Sequence, residues 1–126
     1  MTISTPELQK HILDSLPYGV YCLDTSRTIF YWNNTAEKIT GYRRDEMIGR
    51  HCFQNGLDHI DAQGRHLCQS MCPMTATMFD GKPRKAPVWL KDKDGARIPV
   101  LVQTAPIYEN GEIVGAIEYF NPLENL

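Results

Sequence analysis

The sequence predicts an α+β domain, one antiparallel sheet with short helices massed on one face. Three observations predict it. The periodicities along the chain run helix, two strands, several short helices, three strands. The last three strands are separated by Asp94-Gly95 and Asn110-Gly111, dipeptides that accept the positive φ of tight hairpins, so the strands on either side run antiparallel. With 126 residues, 42% of them apolar and 22% charged, the chain is sized for one hydrophobic core and is not of disordered composition.

Taken in order, residues 5–16 read as an amphipathic helix. Thr5 is placed to cap it, Pro6 suits its first turn and Glu7 favours the positive end. Leu8, Ile12 and Leu16, with Leu13 beside them, form an apolar stripe, and Pro17 stops the helix. The stripe either packs on the domain's own sheet or makes a homodimer contact. Residues 19–23 and 28–32 form a hairpin around the polar turn at residues 24–27. Asn33 caps a short helix at 35–39 that ends at Gly41, and residues 44–48 add another helical turn closed by Gly49. From residue 50 to 67 periodicity fades into a loop marked by Gly56, Asp58, Asp61 and Gly64. Residues 73–80 give one more helix, with Pro73 at its start and Gly81 past its end. Strands at 86–91, 97–104 and 113–120 complete the chain. Cys22 alternates with Val20 in the first strand and reads as core.

Charge and motifs narrow the function. A net charge of -2 gives no electrostatic case for nucleic acid or for an anionic membrane surface. No apolar run is long enough to cross a bilayer, and the N-terminus lacks the basic-then-apolar layout of a signal peptide, so a cytoplasmic location is expected. There is no phosphate-cradling glycine loop, no nucleophile elbow and no His-Glu-x-x-His, so no enzymatic activity is expected.

Three stretches together resemble the PAS sensory domain: Ile29-Phe30-Tyr31-Trp32-Asn33-Asn34-Thr35-Ala36-Glu37-Lys38-Ile39-Thr40-Gly41-Tyr42, then Lys93-Asp94-Gly95-Ala96-Arg97-Ile98-Pro99-Val100, then Asn110-Gly111-Glu112-Ile113-Val114-Gly115-Ala116. The resemblance implies a five-stranded sheet in the order 2-1-5-4-3 and a pocket between sheet and helices. It implies a PAS domain over residues 17–121, the N-terminal helix before it and a linker to an output domain from 122. Pocket-lining candidates are Phe30, Trp32, Phe53, Met74 and Met78. The implied function is signal input to a multidomain protein, detecting a small ligand, redox state or metal and relaying it through the last strand. The alternative is a ligand-free interaction or dimerisation module.

One region departs from an ordinary member. Cys52, Cys68 and Cys72 fall in the loop-rich middle with His51, His59 and His66 interleaved. The spacing is not that of a zinc ribbon, yet three thiolates plus one imidazole, from His51 or His66, satisfy a tetrahedral zinc or iron site or an iron–sulfur cluster. A thiol redox switch and inert packing are the other readings; Cys72 sits at a helix start, where exposed N–H groups favour thiolate. Gly49-Arg50-His51-Cys52, Leu67-Cys68-Gln69-Ser70-Met71-Cys72-Pro73 and Asp80-Gly81-Lys82-Pro83-Arg84 resemble PAS domains that precede diguanylate cyclase (GGDEF) output domains, with histidine kinase the other output considered. Flavin held as in the light-sensing LOV branch is disfavoured. His51 stands where that branch has asparagine, its phosphate-binding arginine is missing, and the last strand has Glu118 and no glutamine. Haem is disfavoured because residues 73–80 carry no histidine.

Overall fold

A computed structural model describes residues 3–52, 56–69 and 72–123. It begins with helix α1 (Thr5–Ser15), followed by strands β1 (Gly19–Asp24) and β2 (Ile29–Trp32). Helices α2 (Asn34–Thr40) and α3 (Arg44–Met47) come next, then a 3-10 turn at Leu67–Gln69 and helix α4 (Pro73–Asp80). Strands β3 (Arg84–Lys91), β4 (Arg97–Glu109) and β5 (Glu112–Pro122) close the chain. The sheet order is β2-β1-β5-β4-β3 with every pair antiparallel, as the resemblance implied.

The helix boundaries follow from local chemistry. α1 is capped by Ser4, whose hydroxyl accepts from the Glu7 N–H at 3.2 Å; the expected cap, Thr5, is already inside the helix. Pro6 therefore falls in the first turn, where its missing N–H costs nothing. Asn33 does more than cap α2. Its buried amide accepts from the N–H of Ala36 and of Val20, each at 2.9 Å, and donates to the carbonyls of Leu13 at 2.8 Å and Tyr18 at 3.0 Å. One side chain thus ties the end of α1, the start of β1 and the start of α2 together.

β4 and β5 run further than the expected 97–104 and 113–120, because the turn between them is tight enough to pair almost to its tip. Asn110 and Gly111 supply it with φ of 51° and 81°. In β5 a Cβ on Gly115 would lie 2.2 Å from the Leu23 carbonyl oxygen, so only glycine lets β1 and β5 approach there. β3 is an edge strand and tolerates Pro87 for that reason. Trp32, Phe120, Leu23, Ile29, Met47, Leu57, Met74, Leu90 and Val100 fill the space between the sheet and the helices. The Trp32 indole finds a partner there, donating to the Tyr42 carbonyl at 3.0 Å. Cys22 is buried, as expected, but stands apart from that main core cluster. No helix among the described residues is long and apolar enough to cross a membrane.

Candidate functional site

The site lies where the two central strands, the loop before α4, and α4 itself meet. β1 and β5 place Tyr21 opposite Glu118 in register, and the two-residue period puts both on the face that carries Leu23, Ala116 and Phe120. Glu118 is therefore a carboxyl group inside the domain, only 3% exposed. The loop brings it a neighbour. Ile60 exchanges two backbone hydrogen bonds with Trp89, at 3.0 and 2.9 Å, and the Lys91 N–H donates to Leu57 O at 2.7 Å, which clips the loop onto the edge of β3. His59 is turned inward by this docking and is 9% exposed. Its Nε2 stands 3.9 Å from Glu118 Oε2, too far for a hydrogen bond, and neither atom has another hydrogen-bond partner among the described residues.

Burial decides the charge of this pair. It raises the Glu118 carboxyl to about 8, with the nearby Cys72 adding to the rise. It lowers the His59 imidazole to about 4. Near neutral pH a carboxylic acid therefore faces a neutral imidazole, and the two do not form an ion pair. Tyr21 is held far above its usual range, first by burial and then by Glu118.

The cysteines form the wall beside this buried set. α4 starts at Pro73 and ends at Gly81, whose φ of 73° stops the helix. Thr77 Oγ1 meets Thr104 Oγ1 at 2.7 Å and fixes the helix on β4. That anchoring sets Cys72 at the helix start. The Cys52 thiol donates a hydrogen bond to the Cys72 sulfur, which lowers the Cys72 thiol to about 6. Burial opposes the shift, while the N–H groups of Met74 and Thr75 assist it as nearby dipoles without forming a cap. Cys52 is pushed strongly up, by the same hydrogen bond first and by burial second. Burial raises Cys68 to about 11. Arg27 gathers the group from the β1–β2 turn, where it has a left-handed φ of 65°. Its carbonyl accepts from the Cys52 N–H at 2.9 Å and its guanidinium reaches Cys68 O at 3.5 Å. Outside this wall is a cleft of about 730 Å³, whose lining includes Arg27, Cys68, Cys72, Thr75, Phe79 and Lys85.

The structure sorts the residues named from sequence. Trp32 and Met74 lie in the core and Met78 packs against it. Phe30 does not line an interior pocket: it is 50% exposed, because it is the extra residue of a β-bulge, with Ile29 opposite Leu23 and Tyr31 opposite Cys22, while Trp32 takes the inward position. Phe53 falls outside the described residues. Among the described residues no three His, Cys, Asp or Glu side chains form a group that could hold a metal ion. His66 is engaged instead by Asp58, Nδ1 to Oδ1 at 2.6 Å, in a surface network that Arg97 joins at 2.7 Å. His51 lies in an isolated bridge with Thr28, next to Cys52 in the chain. Sequence reasoning passed over Tyr21, Arg27, His59 and Glu118 as site residues. Glu118 had a signal, since it shares inward parity with Ala116 and Phe120. His59 had none, because loop docking alone buries it.

The chain belongs to the PAS domain family, which matches residues 17–121. Its relatives include Two-component system protein A of Emericella nidulans, 26% identical over 125 residues; that stretch is 89% of this chain but only 16% of the relative. Among solved structures it is similar to the PAS domain of a protein from Colwellia psychrerythraea, at 20% identity and a TM-score of 0.77, covering 95% of this chain and 98% of that one. It is also similar to the PAS domain of nitrogen regulation protein NR(II) from Vibrio parahaemolyticus, at 18% identity and a TM-score of 0.70, covering 96% and 100%.

Proposed function

We propose that this chain is the signal-input module of a larger signalling protein, that it receives a small polar molecule beside α4, and that it passes the change on through β5. The observation that carries this reading is the pair Glu118 and His59, buried side by side with facing atoms unsatisfied. Each buried orphan of this kind costs about 1–3 kcal/mol, so stability does not account for keeping two of them together. A ligand offering one donor and one acceptor satisfies both. Such a ligand shifts the domain only by binding one arrangement of α4 and β5 better than another. α4 packs on β4 and β5, which gives the shift a route to the linker near residue 122.

The similarity to a two-component system protein supports a phosphorelay output, with a diguanylate cyclase output the alternative carried over from the motif resemblance. Zinc, iron or an iron–sulfur cluster at Cys52, Cys68 and Cys72 with His51 or His66 is not part of this reading, for want of a three-ligand group among the described residues. The test is Glu118→Met in the parent protein. It is expected to stabilise the empty domain by about 1–3 kcal/mol, as removal of an unsatisfied buried group does, and to leave the output unresponsive. A Glu118→Met protein that still switches its output normally overturns the reading.

A second reading has its own observation. Leu8 and Ile12 of α1 are about half exposed, so the apolar stripe of that helix is not consumed by the domain itself. On this reading α1 pairs two copies and the module serves dimerisation without a ligand.

A further inference from the structure

We propose that the loop at residues 57–67 is the door to the buried pair, latched from outside by Arg97 on Asp58. The inference rests on the reading that Glu118 and His59 receive a ligand, and adds how one gets in. Glu118 is 3% exposed and His59 9% exposed, so their facing atoms are closed to solvent while the loop is docked. Of the two, His59 alone rides on the loop. A motion of the loop therefore takes one member of the pair away and leaves the other in the sheet.

The bonding of the loop divides into two sets. One set is internal. The Leu67 N–H donates to His59 O at 2.9 Å, the Asp61 N–H to Arg65 O at 3.1 Å and the Gly64 N–H to Asp61 O at 3.0 Å. The Asp61 carboxylate accepts from the N–H groups of Gln63 and Arg65, at 2.9 and 3.0 Å. These bonds survive if the loop moves as a body. The other set clips it to β3, at Ile60–Trp89 and Lys91–Leu57. Beside that clip is a cavity of about 210 Å³, lined by Ile60, Asp61, Ala62, Gly64 and Trp89, so the loop is not packed closely along its whole length.

The latch is a single guanidinium. Arg97, at the start of β4, donates to the Asp58 carbonyl and, at 2.7 Å, to Asp58 Oδ2. It also reaches Trp89 O at 3.4 Å, the carbonyl that accepts from Ile60. Arg97 thus bridges the loop and the strand it docks on. His66 holds the other Asp58 oxygen at 2.6 Å from within the loop, so it steadies Asp58 without tying the loop to the sheet. Both side chains of the Asp58–Arg97 pair are 32% exposed, so water competes for the latch. A segment with few bonds to its surroundings opens well below the free energy of global unfolding. Opening admits a ligand to Glu118, and closing returns His59 to complete the pair. The loop therefore sets how fast a ligand enters and leaves.

The experiment is hydrogen exchange on the purified chain without ligand, resolved by NMR. The amides of Ile60, Trp89 and Lys91 are expected to exchange as one group, about tenfold or more faster than the amides shared by β4 and β5. Arg97→Met is expected to speed that group about tenfold again and to leave the β4–β5 amides unchanged. Diethyl pyrocarbonate, mapped by mass spectrometry, is expected to modify His59 faster in Arg97→Met by a similar factor. Loop amides that exchange only at the β4–β5 rate overturn the proposal, as does an Arg97→Met protein with unchanged exchange and unchanged His59 labelling. The first of these is read on the unmodified chain and needs no variant to fold. A Glu118→Met protein that still switches its output overturns the ligand reading instead, and bears on none of these rates.

Discussion

Replacing Glu118 by glutamine should make the stability of this domain climb with pH where the unmodified chain is nearly flat. Three buried groups set the expectation. Glu118 is raised from 4.5 to about 8, so the folded state binds its proton more tightly than the unfolded chain does. It therefore subtracts stability as pH rises from about 4.5 to about 8. Cys72 is lowered from 9.0 to about 6, so it adds stability as pH rises across that interval. His59, lowered from 6.5 to about 4, adds stability as pH rises between those values and is silent above them. Of these three, Glu118 and Cys72 titrate differently in the two states between pH 6.5 and 8, and their slopes oppose each other. Each is worth about 1.4 kcal/mol per pH unit. Over about 1.5 pH units Glu118→Gln should therefore gain about 2 kcal/mol relative to the unmodified chain. Urea denaturation at pH 6.5 and pH 8 measures it, provided the dependence on urea concentration keeps the same slope. If the two proteins move in parallel between these pH values, Glu118 is not a buried neutral acid and the electrostatic account of the site fails.

Other outcomes follow from the packing. Gly115→Ala puts a methyl group against the Leu23 carbonyl and should cost about 1–3 kcal/mol by forcing β1 and β5 apart, read as a lower denaturation midpoint. Asn33→Ala strands donors and acceptors on three elements and should cost on the order of 3 kcal/mol, with proteolysis near the start of α2 as a second readout. Leu8→Ser combined with Ile12→Ser should leave monomer stability within about 0.5 kcal/mol, because both side chains are half exposed. If α1 pairs two copies, the same double change abolishes the dimer in light scattering. An undiminished dimer would place the interface elsewhere.

The fold was legible in the sequence because its signals are local. Asn110-Gly111, Pro73 with Gly81, and Asn33 each dictate a turn or a cap through their own backbone preferences, and the structure has all three. The misplacements are of one or a few residues: Ser4 in place of Thr5 as the cap, and strands that pair on toward their turns. The site was less legible because it is assembled from distant segments. Phe30 was misassigned because it shares strand parity with the inward Trp32, and only the β-bulge that leaves it unpaired opposite β1 turns it outward. Glu118 could have been found by carrying the inward parity of Phe120 back along β5. His59 could not, since its burial depends on the loop pairing with β3 through Ile60 and Trp89. The spacing of the cysteines does not report side-chain placement, which leaves no three-ligand group among the described residues and sets His66 against Asp58.

The most direct measurement of the central claim is retention of a small molecule. The purified chain and its Glu118→Met variant are dialysed against a small-molecule extract of cells, and the species retained on each are identified by mass spectrometry. The account expects one small polar compound held near one per chain by the unmodified protein and lost from the variant. No enrichment over buffer, or equal retention on both proteins, contradicts it.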